Sequence, residues 1–590
     1  MSWLKKGALL SSNTKNVLYQ HIPNNRELRG VFTRFSRGKK ITALAFGAVC
    51  IGSMLLFVLY INNLFLVEVP TKGGELVEGV IGFPRLINPL FLAKNDAEVD
   101  IAALTYSGLM RVSQKGSLEP DLAESYTVSE DGTIYTFTLR EKLTWHDGAP
   151  LTASDIAFTI KKIQDPLIKS PHRAKWDGVT IETTDERTVI FTLPQPFARF
   201  LENTTLGILP EHIWSTIGSE EFPLTKFNEE PIGSGPYRFV KSNRDRSGIP
   251  THYTFKAFDD FTLGEPYIRK LIVRFYPNES DLNQALARGE IKAVAALSAN
   301  VAQQLQTATI TIKTPDNPLP RVYAVFFNQD KQNIFTDENV RKALSLAVPR
   351  HAIVTQIFNG YATILNGPLP PGVLGGRLDT NTPLLNDSSA FTQAQALLEE
   401  AGWKRDATGL RYKKDVPLAF TLVTANTQEF KDVTGALKAV WDTLGAQVTV
   451  NVFEPNDLTE NVIRPRQYEA LFFGQAIGRD PDPYSFWHSS GRNDPGLNVA
   501  LYANIKADEV LGRARIENDV DERASLLRQF EEEIAKDTPA VFVYAPHLIY
   551  MVPKDLRGVS FGIVNQASER FAQIHRWYLK TDLIWKVFAE

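Results

Sequence analysis

The sequence predicts an α/β protein of at least two packed lobes behind a single membrane-spanning helix. Three observations predict it. The chain has 590 residues, more than one hydrophobic core can serve, so it must divide. Residues 41–61 form an uncharged apolar run of 21 residues, long enough to cross a hydrocarbon core of about 30 Å as a helix. Further on, residues 418–424 and 447–453 read as strands around a helical pattern over 430–444. That is a βαβ unit, whose right-handed crossover makes its two strands parallel.

The N-terminal region is basic. Residues 1–40 carry Lys5, Lys6, Lys15, Arg26, Arg29, Arg34, Arg37, Lys39 and Lys40 against Glu27 alone, a net of +8 in a chain of net charge −3, which leaves −11 for the rest. An acidic body with no clustered basic face argues against nucleic acid as a partner. The basic flank precedes the apolar run, so the positive-inside rule puts residues 1–40 in the cytoplasm and the large body outside the membrane. A cleaved signal sequence usually has a shorter apolar core, about 7–15 residues, closed by small residues. Here the run continues to Tyr60-Ile61 without such a site, and an uncleaved single-pass anchor over 41–61 is expected. Cys50 is the sole cysteine, so no disulfide framework exists, and it reads as a small apolar residue of the membrane helix.

After a tether at 62–72, residues 100–110 read as a helix with Ile101, Leu104, Gly108 and Leu109 on one side. Residues 126–140 read as two strands joined at Glu130-Asp131-Gly132, and 180–183 with 188–193 as a further hairpin. Between them, Asp147-Gly148 is turn chemistry, and Thr152 with Asp155 three residues on is a helix-starting capping pair. Residues 271–276 form a strand followed by a helix over 280–288. From Arg321 the pattern changes: a strand over 322–327, a helix over 337–348, and a second over 350–358 that Asn359-Gly360 ends. Thr392 is expected to cap a helix over 393–401. A strand over 469–473, a charged amphipathic helix over 521–536 and a strand over 540–545 follow.

Few residues suggest chemistry. There is no G-x-S-x-G elbow, Walker A loop or HExxH, and the nine histidines show no i, i+4 pairing, so neither a metal nor a cofactor is expected. The S-x-x-K match at Ser12–Lys15 falls in the basic tail and reads as accidental. Trp145-His146-Asp147-Gly148 reads as a hairpin turn with a packed Trp rather than a catalytic group. Asp480-Pro481-Asp482-Pro483 is the best site candidate. Its prolines hold the backbone extended, two carboxylates can face a cationic group, and Tyr484 and Trp487 can enclose apolar parts of a ligand. The competing reading has Asp482 capping a helix at Tyr484, with Trp487 in the core.

Several stretches resemble one family. Leu139-Arg140 followed by Trp145-His146-Asp147-Gly148-Ala149-Pro150 and Thr152-Ala153-Ser154-Asp155 closely resembles the signature of the family 5 extracellular solute-binding proteins, the oligopeptide- and dipeptide-binding components of ABC importers. Leu118-Glu119-Pro120-Asp121-Leu122-Ala123-Glu124-Ser125-Tyr126 is similar to a second block of that family. So are Pro231-Ile232-Gly233-Ser234-Gly235-Pro236-Tyr237 and the segment from Phe335 to Ala347. The resemblance covers residues 73–590. It implies a two-lobed, type II periplasmic-binding-protein-like α/β fold. Lobe I would span 73–321 with a strand-rich subdomain at about 106–206, lobe II 322–544, and residues 545–590 would return to lobe I. Ligand would lie between the lobes. In peptide-binding relatives an Asp just before the late cleft segment holds the peptide's amino terminus. Here Arg479 stands at the matching position, with Asp480 beside it, and Gln475 replaces the frequent Trp. The expected ligand contacts are therefore Gln475, Arg479, Asp480, Asp482, Tyr484 and Trp487. The lipidated cysteine of many relatives is not matched, because Val49 precedes Cys50 and the apolar run continues past it.

These readings converge on a membrane-anchored extracellular binding protein, not an enzyme. A monomer is expected, capturing a small ligand such as a peptide and passing it to an ABC permease with a separate ATPase subunit. Two alternatives remain open at this point: an anchored extracellular hydrolase using Asp480 or Asp482, and a sensor that keeps the fold without transport.

Overall fold

The computed structural model describes residue 30 and residues 33–92, 95–113, 115–295, 297–307, 309–376 and 387–588; most of the basic tail expected over 1–40 lies outside the described residues. The chain forms two compact units, Met1–Pro70 with Thr581–Glu590, and Thr71–Lys580. In the first, the apolar run becomes one helix, Arg37–Phe65, with no residue buried. The segment expected as a tether carries a strand, Leu66–Thr71, which pairs with the strand Lys580–Trp585. Pairing satisfies backbone groups that a bare tether would leave to water.

The second unit is built on two large sheets, with smaller ones beside them. A seven-stranded sheet runs in the spatial order Ile310–Lys313, Tyr550–Pro553, Ala293–Ala295, Glu75–Ile81, Lys270–Tyr276, Pro250–Ala257, Tyr237–Arg244. Leu271, Val273 and Phe275 alternate toward the core, as a half-buried strand requires. A four-stranded antiparallel sheet, Ala123–Val128, Ile134–Leu139, Thr188–Thr192 and Thr180–Thr183, packs Tyr135, Phe137 and Phe191 into the same core. The helix beside it, Ala153–Gln164, opens as the capping pair predicts: the Thr152 backbone N–H donates to Asp155 Oδ2 at 2.8 Å. Trp145 is fully buried, and the Gly148 N–H closes its turn on the Trp145 carbonyl at 2.9 Å.

His146 ties that turn to the glycine turn at 233–236. Its Nδ1 accepts from the Gly233 N–H at 3.3 Å and its Nε2 donates to the Gly235 carbonyl at 3.0 Å. One ring nitrogen accepting and the other donating defines the neutral tautomer, and burial pushes the imidazole down to about 4. Glycine is required at 233, where a Cβ would stand 2.0 Å from the Thr105 carbonyl oxygen.

The six-stranded sheet has the order Ala362–Ile364, Ala540–Pro546, Arg321–Phe327, Ala470–Ala476, Ala419–Ala425, Gln447–Phe453. The two strands of the βαβ unit are parallel, Leu422 opposite Val450, and Thr427 caps the intervening helix Gln428–Leu444. Both faces are covered: Val325 and Phe327 pack on one side, Val322, Ala324 and Phe326 on the other. A strand buried on both faces reads as a continuous apolar run. The helix expected over 350–358 passes from Arg350–Ala352 into a π-helical stretch, Ile353–Ile357, and two others differ from expectation. The first is Asp96–Thr105, started by Asn95, whose side chain accepts from Ala97 N–H. Gly108 lies beyond it, in a close backbone approach to Leu206. The other begins at Asp387, with Thr392 inside it and the Thr392 hydroxyl donating to the Ser388 carbonyl at 3.0 Å. A threonine that bonds back four residues is tolerated within a helix.

The chain leaves the seven-stranded sheet after Lys313, enters the six-stranded one at Arg321, leaves it after Pro546 and rejoins the first at Tyr550. The returning segment is pinned by Arg570, whose guanidinium meets Glu78 Oε1 at 2.9 Å and Asp100 Oδ2 at 2.5 Å, while the Tyr550 hydroxyl donates to Glu78 Oε2 at 2.8 Å. Burial pushes both carboxyls up and Arg570 draws them down. Arg570 is held firmly protonated by the two acids.

Candidate functional site

The two lobes meet at Arg479. After the strand Ala470–Ala476 the backbone turns at Gly478, which has φ +78° and lies close to Arg199. Arg479 then reaches out of the six-stranded lobe toward the other. Its Nη2 bonds Glu569 Oε1 at 2.5 Å, its Nε pairs with Glu202 Oε1 at 3.1 Å, and its Nη1 donates to the Ile563 carbonyl at 3.3 Å. Glu202 lies on the short helix Phe200–Asn203 and Glu569 on the returning segment Ala567–Arg576, both in the first lobe. The Arg479 side chain is 6% exposed, so little water screens this contact. Burial pushes the Glu569 carboxyl up, and Arg479 opposes the shift.

Glu202 and Glu569 also line a cavity of about 570 Å³ in the first lobe, a volume within the range of small-ligand sites. Its walls are Val99, Ala102 and Tyr106 at the end of one helix, Met110 and Arg111 of the strand Met110–Val112, and the aromatic edges of Trp176 and Phe571. Polar groups of both signs converge there. Arg111 Nη2 bonds Glu119 at 2.5 Å, and its Nε has no protein hydrogen-bond partner; Asp121 Oδ1 has none either. Burial pushes Asp121 up to about 6 against the pull of Arg111. Burial pushes the His172 imidazole down to about 4, leaving it neutral near pH 7, and burial followed by Arg199 lowers Lys175. The cavity thus offers cations at Arg111 and Lys175 and acids at Asp121, Glu202 and Glu569. That set complements a ligand carrying both charges.

Of the residues expected to touch ligand, Arg479 alone reaches the rim of this cavity, through its two glutamate partners. Asp480 Oδ2 is held by Arg523 at 2.9 Å and Asp482 Oδ2 by Arg515 at 3.2 Å, both within the second lobe. Burial raises the Asp480 carboxyl and Arg523 lowers it. Tyr484 stacks on His488 at 4.0 Å and under the Arg515 guanidinium at 4.5 Å. Trp487 is 1% exposed, packed among Phe326, Tyr502, Phe530 and Phe542. Gln475 is buried in its strand opposite Val322, with Oε1 lacking a protein partner. Asp482 accepts from the Ser485 hydroxyl at 3.4 Å at the start of the helix Tyr484–Trp487. Glu202, Glu569, Arg111, Asp121 and His172 were not singled out by sequence. Only Asp121 falls inside a block that signalled anything. Among the described residues, no group of three or more His, Cys, Asp or Glu is arranged to hold a metal ion.

Comparison with known proteins gives a consistent picture. Residues 117–497 match the family described as "Bacterial extracellular solute-binding proteins, family 5 Middle". The chain is 27% identical over 519 residues to the oligopeptide-binding protein AppA of Bacillus subtilis, covering 86% of this chain and 92% of that one. The solved structure of AppA with a nonapeptide superposes with a TM-score of 0.67, covering 87% of this chain and 100% of AppA. The substrate-binding protein CtaP of Listeria monocytogenes superposes with a TM-score of 0.73 at 26% identity, covering 86% and 100% of the two chains. NikZ of Campylobacter jejuni, solved with Ni(L-His), does so at 0.67 and 25% identity, covering 85% and 99%.

Proposed function

We propose, since this chain belongs to the bacterial extracellular solute-binding proteins of family 5, that it captures a peptide between its lobes and delivers it to an ABC permease. The observation that carries this reading is the Arg479 contact, a cation of one lobe seated on two carboxylates at the rim of a cavity in the other. A contact that exists only when the lobes are together makes closure a two-state event, and a ligand that binds the closed form better shifts that equilibrium. Peptide as the ligand class is supported by the names of AppA and its kin and by the mixed charge of the cavity, which suits an amino and a carboxyl group together. The helix Arg37–Phe65, with a mean hydropathy of 2.4 over its most apolar window, would anchor the protein with its body outside the membrane. Asp480 and Asp482, each committed to an arginine, are poorly placed to work as a general acid and base, which disfavours the hydrolase alternative.

The test is to purify the full chain in detergent and titrate it with defined di- to nonapeptide mixtures while following thermal unfolding. A ligand at 100 times its Kd stabilises the native state by about 2.7 kcal/mol, so a binding peptide raises the midpoint by several degrees without being consumed. No shift with any peptide, and no peptide co-purifying by mass spectrometry, would overturn the reading. Cleavage of the peptide would restore the hydrolase.

A further inference from the structure

The strand Lys580–Trp585 and the turn after it, Lys586–Phe588, carry Leu583, Trp585, Val587 and Phe588, which are 62%, 46%, 71% and 76% exposed. Four large apolar side chains within six residues form an apolar patch in search of a cover. Its position supplies one. The strand pairs with Leu66–Thr71, the segment that leaves the apolar helix directly. The Trp585 ring stacks on Phe65 at 6.2 Å and 22°, and its Nε1–H donates to Asn62 Oδ1 at 2.9 Å. The apolar run ends at Ile61, before Asn62-Asn63, and its 21 residues rise about 31 Å, the thickness of a bilayer's hydrocarbon core. Asn62, and with it the Trp585 indole, therefore stand at the depth where that core gives way to headgroups. Tryptophan is enriched at this boundary because its ring is apolar and its N–H needs a polar partner. Lys586, between the apolar side chains, can lay its stem along lipid and keep its ammonium in the headgroup layer.

We propose that the patch Leu583, Trp585, Val587 and Phe588 is a second membrane contact, inserted into the outer interfacial layer of a phospholipid bilayer beside the spanning helix. The proposal rests on the reading of Arg37–Phe65 as an anchor. The strand pair and the Trp585–Asn62 bond brace the helix where it emerges, so the anchor is a spanning helix with an interfacial foot, and its exit is held at a set depth.

Nitroxide accessibility in the full chain, reconstituted alone into phosphatidylcholine vesicles, tests this. The native Cys50 carries the label for the helix. In a Cys50→Ala background, Val587→Cys reports the patch and Leu224→Cys, at an 84% exposed position, reports water. The expected result is a ratio of oxygen to nickel-chelate accessibility several-fold higher at Val587→Cys than at Leu224→Cys, with a still higher ratio at Cys50. A lipid-embedded Cys50 label with a Val587→Cys label as water-exposed as Leu224→Cys overturns this proposal alone. A water-exposed Cys50 label overturns the anchor and the proposal with it. A Val587→Cys label shielded from both reagents marks a cover of protein, a second copy of this chain, and also overturns it. Trp585→Ser, read with the Val587→Cys label, is expected to lower the ratio toward the water value while leaving thermal unfolding of the outer body unchanged.

Discussion

Arg570 shows how much rests on single side chains in this molecule. Its guanidinium is 1% exposed between Glu78 and Asp100, themselves almost wholly buried. Removing one partner of such a cluster leaves uncompensated charge in a low-dielectric site, at a cost of about 3–5 kcal/mol. Arg570→Met is therefore expected to lower the unfolding free energy read by chemical denaturation by that amount, whereas Arg515→Met, on a 40% exposed side chain, is expected to cost under about 1 kcal/mol. The buried histidines make a second prediction. His146 and His172 are pushed from an ordinary 6.5 down to about 4, and His575 to about 3, in each case first by burial. A depressed imidazole value means that the unfolded chain binds the proton more readily. Stability is thus fully present above pH 6.5 and is lost as pH falls toward 4. Asp121, raised to about 6, acts in the opposite direction over its own window, from about 6 down to the ordinary carboxylate range. Glu78, Asp100, Asp480 and Glu569, also pushed up by burial, act as Asp121 does, so the histidine share is read as a difference: between pH 7 and pH 4.5 the thermal midpoint of His575→Gln is expected to fall less, or rise more, than that of the unaltered protein. Residue roles were the least legible part of the sequence. Arg479 stood out against a family pattern, but its partners Glu202 and Glu569 lie 277 and 90 positions away, and no local pattern announces a pairing made only by folding.

At the scale of elements the sequence was far more informative, because period and capping are local. The βαβ unit, the hairpins of the strand-rich sheet and the capping pair at Thr152 follow from alternation, helical spacing and side-chain hydrogen bonding over a few residues. The failures have local causes too. Thr392 carries a capping side chain but uses it inside a helix, and the strand Leu66–Thr71 was hidden because its partner lies more than five hundred residues on. The glycine turn at 233–236 is the element most sensitive to change. Gly233→Ala would place a methyl group 2.0 Å from the Thr105 carbonyl oxygen, and the backbone there cannot yield without breaking the Gly235 N–H bond to the same oxygen at 2.8 Å. The cost is expected to be at least about 1–3 kcal/mol, read as a lower thermal midpoint, while Gly248→Ala, with open space around it but φ +80°, pays only backbone strain.

For the whole molecule, the Arg479 contact sets the expected behaviour. Arg479→Ala removes the bridge between lobes and leaves Glu569 without its cation. Small-angle scattering of the ligand-free variant is expected to give a larger radius of gyration than the unaltered protein. Peptide affinity is expected to drop about tenfold or more, equivalent to about 1.4 kcal/mol, because part of the binding energy is spent on closure. A variant that scatters and binds like the unaltered protein would show that Arg479 plays no part in closure. The lobes themselves were legible from chain length and family likeness, whereas the cavity was not, because Tyr106, Arg111, His172 and Glu202 of its wall are spread over about a hundred residues and Glu569 joins them only from the returning segment.

That return has a consequence for how the protein is made. The strand Tyr550–Pro553 is interior to the seven-stranded sheet, between Ile310–Lys313 and Ala293–Ala295. During synthesis those neighbours emerge more than two hundred residues before the strand that joins them, and each holds an unsatisfied edge meanwhile. The six-stranded sheet, whose strands all lie between Arg321 and Pro546, is complete first. The half of the protein that begins earliest is therefore finished last, and a chain that ended between Pro546 and Tyr550 would have one finished half and a gap in the other.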